Sequence, residues 1–212
     1  MKKLLFAALA LLTIQSFAQS DPNAKKILDG VSAKLKSFKT LQATYNLTVT
    51  NKAGKNAGSK SGTFYLKGQK YQIADKAMQI FSDGSKIWKY DPEAKEVSVS
   101  AVDPNNNAIT PAKLLSNFYE KDYTYKLNGN KSIGGKQLAE IELTPTNKSK
   151  NISKMLVYVD QTQQMIVSSK VFETSGNTYA YSISNLKTNN NLADNMFTFD
   201  AKKFPGVEVI EQ

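Results

Sequence analysis

The sequence has no cysteine, no histidine and no arginine, so all 28 of its basic residues are lysine, set against 18 acidic ones. Each absence removes a chemistry. Without cysteine there is no disulfide, no thiol nucleophile and no zinc–thiolate site. Without histidine the usual general base, triad member and transition-metal ligand are gone. Without arginine there is no planar fork for phosphate or carboxylate. Nucleic acid is not an expected partner, because the lysine excess comes with no recognition motif. What remains is an ordinary globular composition, with 41% hydrophobic and 22% charged residues and a formal charge of +10 over 212 residues. No cofactor is expected. A hydrolase would have to work with Asp, Glu, Lys, Ser or Tyr alone.

Long apolar runs are also scarce. The exception is the start, "MKKLLFAALALLTIQSFAQS", where two lysines precede an apolar stretch from Leu4 to Ile14 and Ser16-Phe17-Ala18 puts small residues at the positions a signal peptidase reads. That run is too short to span a bilayer and reads as a secretory signal peptide over 1–18, leaving one domain over 19–212. With no cysteine at the cleavage point, the chain is expected to be exported without a lipid anchor of its own. An exported chain lacking disulfides must be held by its core.

The first element is a helix over "DPNAKKILDGVSAKLKSFKT", with Asp21 as N-cap and Pro22 in the first turn. Ile27, Val31, Leu35 and Phe38 make its apolar stripe, widened by Leu28. Strands follow. "LQATYNLTVT" alternates, with Leu41, Ala43, Tyr45, Leu47 and Val49 on one face. "NKAGKNAGSKSG" reads as a polar turn or loop. "TFYLKGQKYQIAD" is a hairpin turning at Gly68, in which the inward parity of Phe64, Tyr65 and Leu66 is open. "AMQIFSDGSKIWKYDPEAKEVSVSAV" is two hairpins turning at Asp83-Gly84 and Asp91-Pro92. "DPNNNAITPAKLLSNFYE" holds a polar loop and a short helix, with Thr110 as N-cap and Leu114, Leu115 and Phe118 as its apolar face. Five further strands run from "YTYKLN" to "TYAYSISNLK", and a last short one spans Val207 to Ile210. The even spacing predicts a mainly β (α+β) fold: one strongly curved antiparallel sheet, an incomplete β-barrel, with a few covering helices.

Such a sheet encloses volume that side chains or a ligand can fill. The inward candidates are Tyr45, Leu47, Tyr71, Ile73, Ile80, Trp88 and Tyr90. Their amphipathic rings suit a wall that is sometimes wet, and four methionines add adaptable surface. An ordinary packed core is the alternative.

The order of the pieces carries a resemblance. The signal peptide, the capped helix, the alternating strand, "SDGSKIWKYDP", "ITPAKLLSNF" and "FTFDAKKFPGVEV" together resemble the LolA family of outer-membrane lipoprotein carriers, from about Asp21 to the C-terminus. The resemblance implies a periplasmic carrier that shields lipoprotein acyl chains in an apolar cavity. It would accept cargo from an ATP-driven inner-membrane exporter and pass it to an outer-membrane acceptor, acting as a monomer. It also implies lipid contacts at the seven inward candidates and at Leu114, Leu115 and Phe118. Family members carry an arginine in the strand–turn matching "YLKGQKY" that holds the lid shut. Here that place falls on Gly68 or Lys67, and Lys67 can offer carbonyls only a point charge.

Three rival readings stand beside it. One is a carrier or sensor of another envelope lipid. A second is a secreted carbohydrate-active enzyme using Asp83, Asp91, Glu93 or Glu96, although these read as turn residues. The third is a glycan-binding protein, which would want exposed aromatics.

Overall fold

A computed structural model describes residues 20–103, 118–147 and 151–211. The first element is helix α1, Pro22–Lys36. The Asp21 side chain accepts hydrogen bonds from the amides of Asn23 and Ala24, which caps α1 as the sequence predicts. Asp21 also ties the helix to the sheet: its amide donates to the Tyr125 carbonyl and its Oδ2 accepts from the Leu127 amide at 3.0 Å. Ala24, Leu28, Val31 and Leu35 are buried at helical spacing.

Six strands follow: β1 (Leu41–Thr50), β2 (Asn56–Lys67), β3 (Lys70–Asp75), β4 (Gln79–Ser82), β5 (Lys86–Asp91) and β6 (Glu96–Ala101). A short helix α2 (Phe118–Asp122) leads into β7 (Tyr123–Ile133), β8 (Lys136–Pro145), β9 (Ile152–Asp160), β10 (Met165–Glu173) and β11 (Thr178–Thr188). Two 3-10 turns, Asp194–Phe197 and Ala201–Lys203, precede β12 (Glu208–Glu211). All twelve strands form one sheet in the order β12-β6-β5-β4-β3-β2-β1-β11-β10-β9-β8-β7. It is a long, curved, open sheet, with β12 and β7 as its two edges among the described residues. Register shifts such as those at Leu127/Gly129 and Ile166/Ser168 supply local bends of the kind that bulges produce.

Two sequence expectations are corrected. The stretch read as a loop after β1 is mostly strand: only residues 51–55 turn, and β2 begins at Asn56. Its Lys, Ser and Gly residues are exposed, so polarity there marks a solvent-facing strand end. The last strand is also not antiparallel, because β12 pairs with β6 in parallel. The chain leaves β11 in mid-sheet and crosses to the far edge, and a crossover of that kind delivers a strand in parallel sense.

Both faces are covered, by different things. On one face α1 packs over Leu41, Ala43, Leu66, Tyr71, Ile141, Leu143, Val157 and Val159 in a single buried cluster. Phe64 and Leu66 belong to this helix face, which settles the parity of β2 and sends Tyr65 the other way. On the opposite face the crossover between β11 and β12 packs its aromatics against β4 and β5. Phe199 sits 5.8 Å from Phe81 and 5.6 Å from Tyr90, and Phe204 stacks on Phe199 at 4.6 Å. Phe197 is fully buried.

Phe197→Ala is expected to cost about 3–5 kcal/mol in urea unfolding, the usual loss for a fully buried ring. Acid should also probe the helix tie. Hydrogen bonds from the Leu127 and Asn23 amides hold the Asp21 carboxyl below the ordinary carboxylate value. Its contribution is therefore present above about pH 4 and lost as pH falls through the lowered value. Asp21→Asn should flatten the acid limb of a thermal-midpoint profile.

Candidate functional site

The helix face is much wider than its helix. Cross-strand register shows which residues α1 leaves uncovered. Tyr45 lies opposite Gly62 on one side and Ile183 on the other; Leu47 lies between Lys60 and Tyr181; Val49 lies opposite Tyr179. Ile73 and Ile80 pair with each other beyond Phe64. None of these apolar residues is fully buried, and Tyr181 retains 36% of its exposure. Phe64, Ile73, Ile80 and Ile183 pack against the rim of the α1 cluster. The uncovered area is thus continuous with the core and largely apolar, with Lys60 beside Leu47, Lys89 beside Ile80 and Ser169 beside Tyr181 on the same face. Tyr45, Tyr179 and Tyr181 bring their hydroxyls to it.

One polar bond is set into this wall. The Tyr45 hydroxyl donates to Asp75 Oδ2 at 2.8 Å, while Oδ1 of the same carboxylate accepts from the amides of Ala77 and Met78 in the β3–β4 turn. Partial burial alone would raise the Asp75 pKa, but the Tyr45 hydroxyl and the two amides outweigh it and hold the group lowered. Burial, followed by the Asp75 hydrogen bond, pushes the Tyr45 phenol up, so it stays protonated. Gly62 makes the geometry possible. A Cβ there would lie 2.8 Å from the Tyr45 ring and 2.4 Å from the Ala74 carbonyl oxygen. The ring therefore lies across β2 to reach β3.

Beside this wall α2 is bound to α1 by a second cluster. The Tyr119 hydroxyl donates to Asp29 at 2.6 Å, and Lys25 bridges Asp29 and Glu120 at 2.9 and 3.0 Å. A separate cleft of about 380 Å³ opens between α1 and the β9–β10 turn. Asn23, Lys26, Gln161 and Gln164 are among its eight lining residues, and no residue of the uncovered wall reaches it.

The predicted residues separate. Tyr45, Leu47, Tyr71, Ile73 and Ile80 share the helix face, with Tyr71 buried in the core and the others at its open side. Trp88 and Tyr90 are on the opposite face. Trp88 pairs with Phe81 and Val99, and Tyr90 lies against Phe199 and Phe204. Leu114 and Leu115 fall outside the described residues, and Phe118 opens α2. Lys67 also faces away from the helices: its Nζ donates to the Leu192 carbonyl at 2.8 Å and pairs with Asp194. Gly68 turns beside Leu35 and Phe38 at the end of α1. The acidic residues weighed for catalysis shape turns, with Asp83 accepting from Ser85 and Lys86 and Asp91 from Glu93 and Ala94. Sequence reasoning missed Tyr179, Tyr181 and Ile183. Their alternation in "TYAYSIS" is visible, but their pairing with β1 is not.

Comparison with known proteins gives a consistent result. The family profile for the outer membrane lipoprotein carrier protein LolA matches residues 36–200. The outer-membrane lipoprotein carrier protein of Haemophilus influenzae is 32% identical over 221 residues, covering 100% of this chain and 98% of its own. That of Pasteurella multocida is 30% identical over 220 residues with the same coverage. Among solved structures, an uncharacterized conserved protein from Thermus thermophilus superposes with a TM-score of 0.61 at 11% identity, covering 90% of this chain and 99% of that one. A DUF1329 family protein from Desulfovibrio piger reaches 0.50 at 13% identity, covering 86% and 99%. At these identities the structures share the fold alone.

Gly62→Val should displace the Tyr45 ring and break its bond to Asp75. The expected readout is a thermal midpoint lowered by several degrees, with a changed near-ultraviolet tyrosine signal.

Proposed function

The chain belongs to the LolA family of outer membrane lipoprotein carrier proteins, and from that premise we propose that the uncovered half of the helix face is where it holds its cargo's acyl chains. The protein is a periplasmic lipoprotein carrier. The observation that supports the site is the wall itself: Tyr45, Leu47, Ile73, Ile80 and Tyr181 are apolar, adjacent and incompletely buried on the face that carries α1. An acyl chain gains roughly 0.8 kcal/mol for each methylene removed from water, so one long chain is worth on the order of 10 kcal/mol. A wall of moderate apolar area suffices to hold it and does not demand one fixed ligand shape.

Carriage needs no bond to be made or broken. Residues 1–18 act as the export signal in this reading. An inner-membrane exporter driven by ATP loads the carrier, and an outer-membrane acceptor unloads it by binding the acyl chains more tightly. In this reading Leu114, Leu115 and Phe118 are further contacts for the acyl chains. Trp88, Tyr90 and Lys67 lie on the opposite face, where Tyr90 and Lys67 hold the C-terminal crossover.

Inner-membrane vesicles bearing an acylated lipoprotein, its exporter and ATP test the proposal. The mature chain should bring the lipoprotein into the soluble fraction as a stable complex, and a non-acylated version should give no such complex. Leu47→Glu should reduce complex formation at least tenfold while shifting the thermal midpoint by only a few degrees, because Leu47 lies outside the buried cluster. Equal loss of folding and binding would make the wall an ordinary core surface. A different lipid recovered with the unsubstituted chain would change the cargo.

A further inference from the structure

One polar feature of the open wall is built into the sheet. Tyr45 and Asp75 meet at 2.8 Å across β2, over a glycine whose lack of a side chain lets the ring pass. Register puts two more polar groups next to them on the same face. Lys60 and Tyr181 flank Leu47, one strand to either side, and Leu47 is the next residue along β1 from Tyr45 on that face. Neighbouring strands lie about 4.8 Å apart and same-face residues about 7 Å apart, so from Asp75 on β3 to Tyr181 on β11 the four positions spread over about 16 Å of sheet. Neither the Lys60 ammonium nor the Tyr181 hydroxyl has a hydrogen-bond partner among the described residues.

We propose that Tyr45, Asp75, Lys60 and Tyr181 form a polar subsite that receives the ester and amide linkages joining the acyl chains of a multiply acylated cargo to its N-terminal residue. The proposal rests on the carrier reading and goes one step further, because it fixes where the head of the lipid lies. The chemistry matches in both senses. An N-acyl group presents an amide N–H, and the Tyr45 oxygen still has acceptor capacity after donating its proton to Asp75. Two ester carbonyls need donors, which Lys60 and Tyr181 supply. Taken off water without partners, those groups would oppose binding; with partners they set the depth to which the chains enter. Beside the Tyr45–Asp75 brace, the exposed Lys60 and the partly exposed Tyr181 keep donors that a ligand can take over from water.

The test is a pair of titrations by displacement of a hydrophobic fluorophore. One ligand is a synthetic peptide with a triacylated N-terminal cysteine. The other is palmitate, which has a similar chain and no amide N–H. Tyr45→Phe keeps the ring over Gly62 and leaves the two turn bonds of Asp75 in place, and its folding is checked by circular dichroism. Affinity for the triacylated peptide should fall about tenfold, with palmitate unchanged within twofold. Equal loss for both ligands, or no loss for either, overturns the subsite and leaves the carrier reading standing. If the unsubstituted chain binds neither ligand, the carrier reading fails and the subsite fails with it.

Discussion

The pairing of β1 with β11 holds the rest of the structure together. The first six strands form one meander and β7 to β11 form another, each built from neighbours in sequence. The two become a single sheet only where Leu41–Thr50 meets Thr178–Thr188, residues well over a hundred positions apart. This join carries a large loop-closure cost and must be secured by register. A slip of one residue would turn Tyr45, Leu47 and Val49 away from Tyr179, Tyr181 and Ile183, dissolving the wall and exposing its apolar residues to water. The site and the fold therefore depend on the same ladder.

A second constraint is one of size. α1 has 15 residues, roughly 22 Å of helix at 1.5 Å per residue. Twelve strands at about 4.8 Å span more than twice that. Among the described residues α1 is the one long helix on this face, and the connection 189–207 lies on the reverse side, where it lays Phe199 and Phe204 against β4 and β5. The imbalance leaves apolar sheet beside α1. Closing it with more core would give a firmer protein and remove the room that acyl chains need.

Much of this was legible in the sequence because it is local. The Asp21 cap, the Asp-Gly and Asp-Pro turns and the alternation of β1 are short-range signals, and the structure realises each of them. The errors share a different cause. Trp88 and Tyr90 were grouped with Tyr45 as aromatic inward residues, yet counting pairs across β4 to β2 sends them to the other face. Strands β4 and β5 carry apolar residues on both sides, Ile80 and Ile87 on one and Phe81, Trp88 and Tyr90 on the other, so alternation there has no polar face to mark direction. The parallel β12 and the role of Lys67 depend on where the C-terminal crossover runs, which no window of a few residues encodes. Gly62 is the most instructive case. In sequence it is one of several glycines in a polar stretch; in the structure it is the floor under Tyr45.

The residue types explain how one wall can serve when loaded and when empty. A leucine surface left open to water would favour collapse or self-association. Tyrosine presents an apolar ring with a hydroxyl that water or a partner can satisfy, and Tyr45, Tyr179 and Tyr181 are placed where the covered core gives way to the open wall. The lysines on the solvent-facing strand ends keep the rest of the surface charged and soluble. The same reasoning suits a chain without histidine or cysteine. Its work is to hold a lipid tightly enough to cross water and loosely enough to give it up. That balance is set by apolar area and a few hydrogen bonds, and reactive side chains would add nothing to it.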